Sequence, residues 1–197
     1  MNEEISGELK LYMILLGSKA PKRNVEQHDF FFGIARNLKE LVPSIRSFWP
    51  EAGNSIHLDG WREITMVDGY QVKVVLKEDA PLLSSPLFSP KKLFFINLGG
   101  YQPDILEEQH YTVLSVHEER TQAIQEAKKT VFFKNNKVKG AGSHIDEKYG
   151  IDVDDIYRIE DILADEFKEK YHLLITPSSG QEQDTINLGY LKLDKIK

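Results

Sequence analysis

The strongest constraint on this fold is a stretch that the chain repeats. Lys10–His28 reads KLYMILLGSKAPKRNVEQH, and Lys92–His110 reads KLFFINLGGYQPDILEEQH. At an offset of 82 residues, nine of the nineteen positions are identical without a gap: Lys10, Leu11, Ile14, Leu16, Gly17, Pro21, Glu26, Gln27 and His28. The pattern continues with Leu41, Val42, Ile45 and Trp49 opposite Ala123, Ile124, Ala127 and Val131. After a five-residue insertion, HLDGWREITM from His57 falls opposite HIDEKYGIDV from His144. The reading is an internal duplication. Two copies are too few for a solenoid, so a compact pseudo-twofold protein is expected.

Both copies must satisfy one secondary-structure reading. KLYMILLG and KLFFINLG are short apolar runs ended by glycine, which suits buried strands. EQHDFFFGIA alone would pass for helix, but its twin EQHYTVLSV is rich in β-branched residues, so both are read as strands. A helix should follow, with Leu38, Leu41, Val42, Ile45, Phe48 and Trp49 on one stripe. Asn37 with Glu40 suggests a capping box, and Pro43 either kinks the helix or moves its start later. HLDGWREI and YQVKVVL complete the unit as strands.

The fold class expected is α+β: a duplicated ββαββ-like unit, with a mostly antiparallel sheet and one main helix per repeat. It forms one continuous sheet or two packed sheets. A single compact protein spanning 1–197 would comprise repeat one (10–77), a Pro/Ser-rich connector (78–91), repeat two (92–163) and a C-terminal helix and strand extension (164–197). The extension would complete copy two, or form a lid or a dimer arm.

The shared G-x-x-x-P-x-x-x-x-E-Q-H element and the duplication of about 80 residues resemble a bacterial family known as domain of unknown function 1543. The resemblance implies two tandem copies of that unit and supplies no activity.

Composition removes several function classes. With 41% hydrophobic and 28% charged residues, the chain reads as an ordinary globular protein. A net charge of −6 argues against general attraction to nucleic acid or anionic membranes. The absence of cysteine excludes disulfides, thiolate metal sites and cysteine nucleophiles. The start, MNEEISGELK, is acidic where a signal peptide is basic, and no apolar run reaches the length of a bilayer span. Cytoplasmic location is the expectation.

Chemistry concentrates at the repeated histidines. His28 and His110 each follow a carboxylate by two residues (Glu26, Glu108); His57 and His144 each precede one by two (Asp59, Asp146). Alternate residues of a strand share a face, so each pair sets an imidazole beside a carboxylate. One reading is structural, with the carboxylate fixing a histidine tautomer. A second is acid–base catalysis on an ester or phosphodiester, each histidine oriented by its acid. Its plan is similar to duplicated two-histidine phosphoesterases, but Asp59 and Asp146 replace their hydroxyl residue. A third is a metal site built from His and Glu/Asp on adjacent strands. No H-x-x-x-H or H-E-x-x-H motif supports it, so no metal and no cofactor is assigned.

The loops after each glycine differ in charge: Lys19, Lys22 and Arg23 in the first, Tyr101, Asp104 and Glu107 in the second. Lys19, Lys22, Arg23 and Tyr101 are therefore the candidate ligand-binding residues. The sequence favours a non-catalytic binding or interaction module over an enzyme. It would use the repeat interface or these loops, with a small molecule or a protein as partner, and a homodimer is compatible. The alternative is a histidine/carboxylate-dependent hydrolase or phosphoesterase with a cleft between the repeats.

Overall fold

The computed structural model describes residues 7–78, 90–100, 104–129, 151–180 and 183–197, with backbone alone for 151–154. Most of the expected connector (79–89), together with Tyr101, His144 and Asp146, lies outside the described residues. The fold is α+β, built from antiparallel sheets and short helices. Contacts divide the chain into two compact units: residues 1–88 with 163–197, and residues 89–162.

In the first unit, β1 (Lys10–Ser18) is the inner strand, hydrogen-bonded to β2 (Gln27–Ala35) on one side and β3 (His57–Ile64) on the other. Residues of both alternating sets along β1 are buried, so both its faces are covered, which matches its near-continuous apolar run. Leu11, Ile14 and Leu16 are fully buried. After β2 the chain makes a 3-10 turn (Leu38–Leu41) and α1 (Val42–Phe48). Pro43 sits in the first turn of α1, where its missing N–H costs nothing, so the helix starts late rather than kinking. Asn37 caps the 3-10 turn by accepting from the Glu40 N–H. The Glu40 carboxylate reaches back to the Arg36 N–H, one residue before the expected partner. The change from 3-10 to α geometry breaks the anticipated stripe. Leu41 and Ile45 are buried, whereas Phe48 stays 44% exposed, its ring edge-on to Phe31.

A second sheet in this unit joins β4 (Met66–Val67), β5 (Tyr70–Leu76) and β9 (Tyr171–Pro177). The C-terminal strands pair within the first unit rather than with the strands of copy two. β9 pairs with β5, and β10 (Asn187–Lys192) closes the edge of the first sheet against β3. Asp184 fixes the approach to β10 by accepting from the backbone N–H of Thr65 and of Met66 and from the Thr65 hydroxyl.

The second unit holds β6 (Lys92–Gly100), β7 (Gln109–His117), α2 (Arg120–Ala127), β8 (Ile151–Arg158) and the short α3 (Ile159–Ile162). Its strand order, β7-β6-β8, repeats the β2-β1-β3 order of the first sheet. Glu119 and Gln122 form the capping box of α2. Ala123 and Ala127, one turn apart and buried, let α2 sit closely on Phe94, Ile96, Leu98 and Ile156. The remaining short helix, α4 (Asp165–Lys170), leads into β9 of the first unit.

The two hairpins agree in register. Gly17 faces His28, and Gly99 faces His110. Their loops both pass through a left-handed residue at equivalent positions, Lys22 and Asp104. The third strands agree in register as well, but not in the way the sequence alignment expects. Gly17 faces His57 across β1–β3, whereas Gly99 faces Asp152 across β6–β8. The offset has therefore grown from 82 residues to 95, and the structural counterpart of His57 is Asp152, not His144. The H-x-D likeness that set the earlier alignment falls before β8. Among the described residues no helix is long and apolar enough to cross a membrane.

Candidate functional site

Gly17 is the floor of the site. It lies on the inner strand with His28 beside it on β2 and His57 beside it on β3. A side chain at this position would stand between the two imidazoles. A Cβ here would lie 2.4 Å from Asp59 Oδ2 and 2.5 Å from His57 Nε2, far closer than atoms tolerate. Glycine thus opens a bay on the sheet, and polar groups fill it.

A double irregularity in the sheet aims Asp59 at that bay. Leu15 pairs with Gly60 and Leu16 with Leu58, so Asp59 is an extra residue in the β1–β3 ladder. On its other side Leu188 pairs with Gly60 and Leu191 with Leu58, which leaves Gly189 and Tyr190 opposite it. Bulges of this kind re-aim side chains at the cost of pairing. Gly189 takes φ +139°, which glycine adopts readily. Tyr190 follows it and lays its ring over His57, with centroids 4.3 Å apart.

Four side chains converge. His57 is 4% exposed, its Nδ1 2.9 Å from the Ser55 carbonyl oxygen. A carbonyl only accepts, so Nδ1 carries the proton of that hydrogen bond. His57 Nε2 then points at Glu26 Oε1 (3.2 Å) and Asp59 Oδ1 (3.3 Å). These contacts are close, yet Nε2 is aligned for a hydrogen bond with neither oxygen, and both Nε2 and Asp59 Oδ2 are buried without a hydrogen-bond partner. His28 reaches in from the solvent side, its Nε2 3.1 Å from Asp59 Oδ2 and 3.8 Å from Glu26 Oε2.

Glu26, His57 and Asp59 each offer one atom within 4.8 Å of the others. For metal bonds of about 2.1 Å, neighbouring ligand atoms stand roughly 3.0–3.4 Å apart. The two His57 contacts fall inside that range. The anchoring of Nδ1 on a backbone carbonyl is also the usual outer support of a metal-binding imidazole.

An open cleft of about 580 Å³ reaches His57 and Glu26 and is also lined by Lys19, Arg46, Tyr190 and Lys192. Lys19 is thus the member of the expected basic loop that the structure brings to the site; Lys22 and Arg23 do not line this cleft. The nearby serines are engaged in structure. Ser18 and Ser55 are 2.6 Å apart through their hydroxyls, and Ser55 donates to the Ala52 carbonyl.

In the second unit, His110 lies 3.7 Å from Glu108, matching the His28–Glu26 spacing. Gln109 donates to the Glu107 carbonyl as Gln27 does to that of Val25. The acid–imidazole contact within E-Q-H is thus present in both hairpins, with Glu26 and Glu108 just ahead of β2 and β7 rather than within them. What the sequence missed is Tyr190, Arg46 and Lys192, none of which lies in a repeated motif.

The profile of a Domain of Unknown Function (DUF1543) matches residues 23–74, a span that includes Glu26, His28, His57 and Asp59. No curated protein matches the chain. Among solved structures, the crystal structure of a protein Il1583 from Idiomarina loihiensis is similar over 94% of this chain and 99% of that one. Its TM-score is 0.61 at 20% sequence identity, which supports a common fold.

Proposed function

We propose that this protein is a binding module whose first unit holds a divalent transition-metal ion. Glu26, His57 and Asp59 are the ligands, and His28 positions the two carboxylates. One observation carries this reading: a buried imidazole nitrogen, its tautomer fixed from behind, faces two carboxylates without an aligned hydrogen bond. A bare lone pair against carboxylate oxygens is repulsive, and a proton serves only the oxygen it points at. A metal ion at the centre satisfies the nitrogen and both carboxylates together. Mixed imidazole and carboxylate ligands without thiolate suit zinc, manganese, iron, cobalt or nickel.

The competing reading is an imidazolium paired with two acids, with the cluster serving the fold alone. Calorimetric titration of the metal-free full chain with zinc separates the two. The expected result is one tight event that disappears in His57→Ala and weakens in the near-isosteric Glu26→Gln and Asp59→Asn. Absence of binding by zinc, cobalt and manganese, or full affinity in all three variants, overturns the proposal.

Three protein ligands leave a coordination position open, as in metal sites that do chemistry. A hydrolytic function would use that position for water, and His28, 3.1 Å from Asp59, would be available to carry a proton. In this form the hydrolase alternative uses one site within the first unit, whereas the sequence reading draws on four histidines from both copies.

A further inference from the structure

Arg46, Lys19 and Lys192 come from three separated parts of the chain and line the cleft that reaches Glu26 and His57. Among the described residues none of the three forms an ion pair. The second unit differs: in its cleft of about 520 Å³, Lys92 is paired with Glu119 and Arg158 with Glu160, and Arg120 shares the lining with Asp155 and Asp161. Unmatched cations are notable in a chain of net charge −6. Once a divalent ion has neutralised Glu26 and Asp59, three positive side chains face only Asp194, itself 3.8 Å from Lys195. The cleft then carries about two positive charges in excess. Its volume lies in the range of small-molecule sites and far exceeds a bare oxyanion.

From these observations we infer that the cleft binds a small phosphate monoester, whose dianion fills the open metal position and is clamped by Lys19, Arg46 and Lys192. Arginine supplies a planar donor fork suited to phosphate oxygens, and the lysines supply point charges. Tyr190, standing on His57 at the cleft wall, offers a ring to the organic part of the ligand. The inference rests on the metal reading above.

The test uses the full chain loaded with cobalt(II), whose visible absorption reports its ligands, titrated with phenyl phosphate. A saturable change in the cobalt bands is expected, with no change on adding phenol. The double variant Lys19→Ala/Arg46→Ala should bind cobalt as before and phenyl phosphate about tenfold or more weakly. Cobalt binding with bands unmoved by about 10 mM phenyl phosphate overturns the inference and leaves the metal reading intact. So does an unchanged phosphate affinity in the double variant, or loss of the bands as phosphate strips the metal. Failure of cobalt to bind at all overturns the metal reading and the inference with it.

Discussion

Replacing Gly17 by alanine adds a single methyl group, and the structure says where it must go. The new Cβ would lie 2.4 Å from Asp59 Oδ2 and 2.5 Å from His57 Nε2, so both groups must move. Overpacking of this kind costs about 1–3 kcal/mol, which for a chain of this size lowers Tm by roughly 2–12 °C. The larger consequence concerns the ion. At a zinc concentration of about 100 Kd, the wild-type protein gains about 2.7 kcal/mol, or roughly 5–10 °C in Tm. Gly17→Ala displaces two of three ligands, so its zinc-dependent gain should fall to about 1 °C or less. Gly33→Ala is the control, because there the Cβ meets Phe31 at 2.7 Å and Leu41 at 2.8 Å, on the packing side of the same hairpin. It should lose comparable stability and keep the zinc-dependent gain. Differential scanning fluorimetry, each variant compared with itself with and without zinc, reads both quantities. A Gly17→Ala protein that retains the full zinc increment would refute the claim that the bay above Gly17 is the metal site.

Two further outcomes test the framework around the site. Burial, then the nearby Glu63 charge, pushes the Tyr12 phenol from 10.0 up to about 12. Its folded value is raised, so its contribution to stability is whole below pH 10 and fades as pH climbs towards 12. Ultraviolet titration should show one tyrosinate step near pH 12 that Tyr12→Phe removes. Asp184→Ala strips the acceptor from two backbone N–H groups and a hydroxyl, and should cost about 2–3 kcal/mol. Chemical denaturation measures this, and a loss under about 0.5 kcal/mol would show the clamp to be idle.

Much of the fold was legible because the chain offers each hairpin twice. EQHDFFFGIA is ambiguous alone; its β-branched twin removes the ambiguity, and both are strands. Strand periodicity leads one to expect Glu26 beside His28 and His57 beside Asp59, and both contacts are present; the structure reaches them differently, with Glu26 just ahead of β2 and Asp59 as the bulged residue of β3. The counterpart of His57 was misplaced for an equally physical reason. The stretch between the second and third strands is longer in copy two (118–150) than in copy one (36–56), and a three-residue H-x-D likeness is weaker evidence than a ladder of hydrogen bonds. The register puts Asp152 there. The C-terminal strands were unassignable from pattern alone, since NLGYLK could close any antiparallel edge.

Sequence by itself determined most of the strands and the glycine near the end of each inner strand, and it set an acid within two residues of the repeated histidines. These depend on periodicity and on local backbone freedom, which neighbouring residues set. Only the tertiary structure decided that Glu26, His28, His57 and Asp59 meet above Gly17. That meeting depends on which strands flank β1 and on a bulge that leaves Asp59 unpaired. It also decided that Arg46, Tyr190 and Lys192 share one cleft with Lys19. They lie up to 173 residues apart in the chain, from Lys19 to Lys192, and no local rule connects them. Proximity over such separations is a property of strand order, and strand order is settled by the packing of the whole unit.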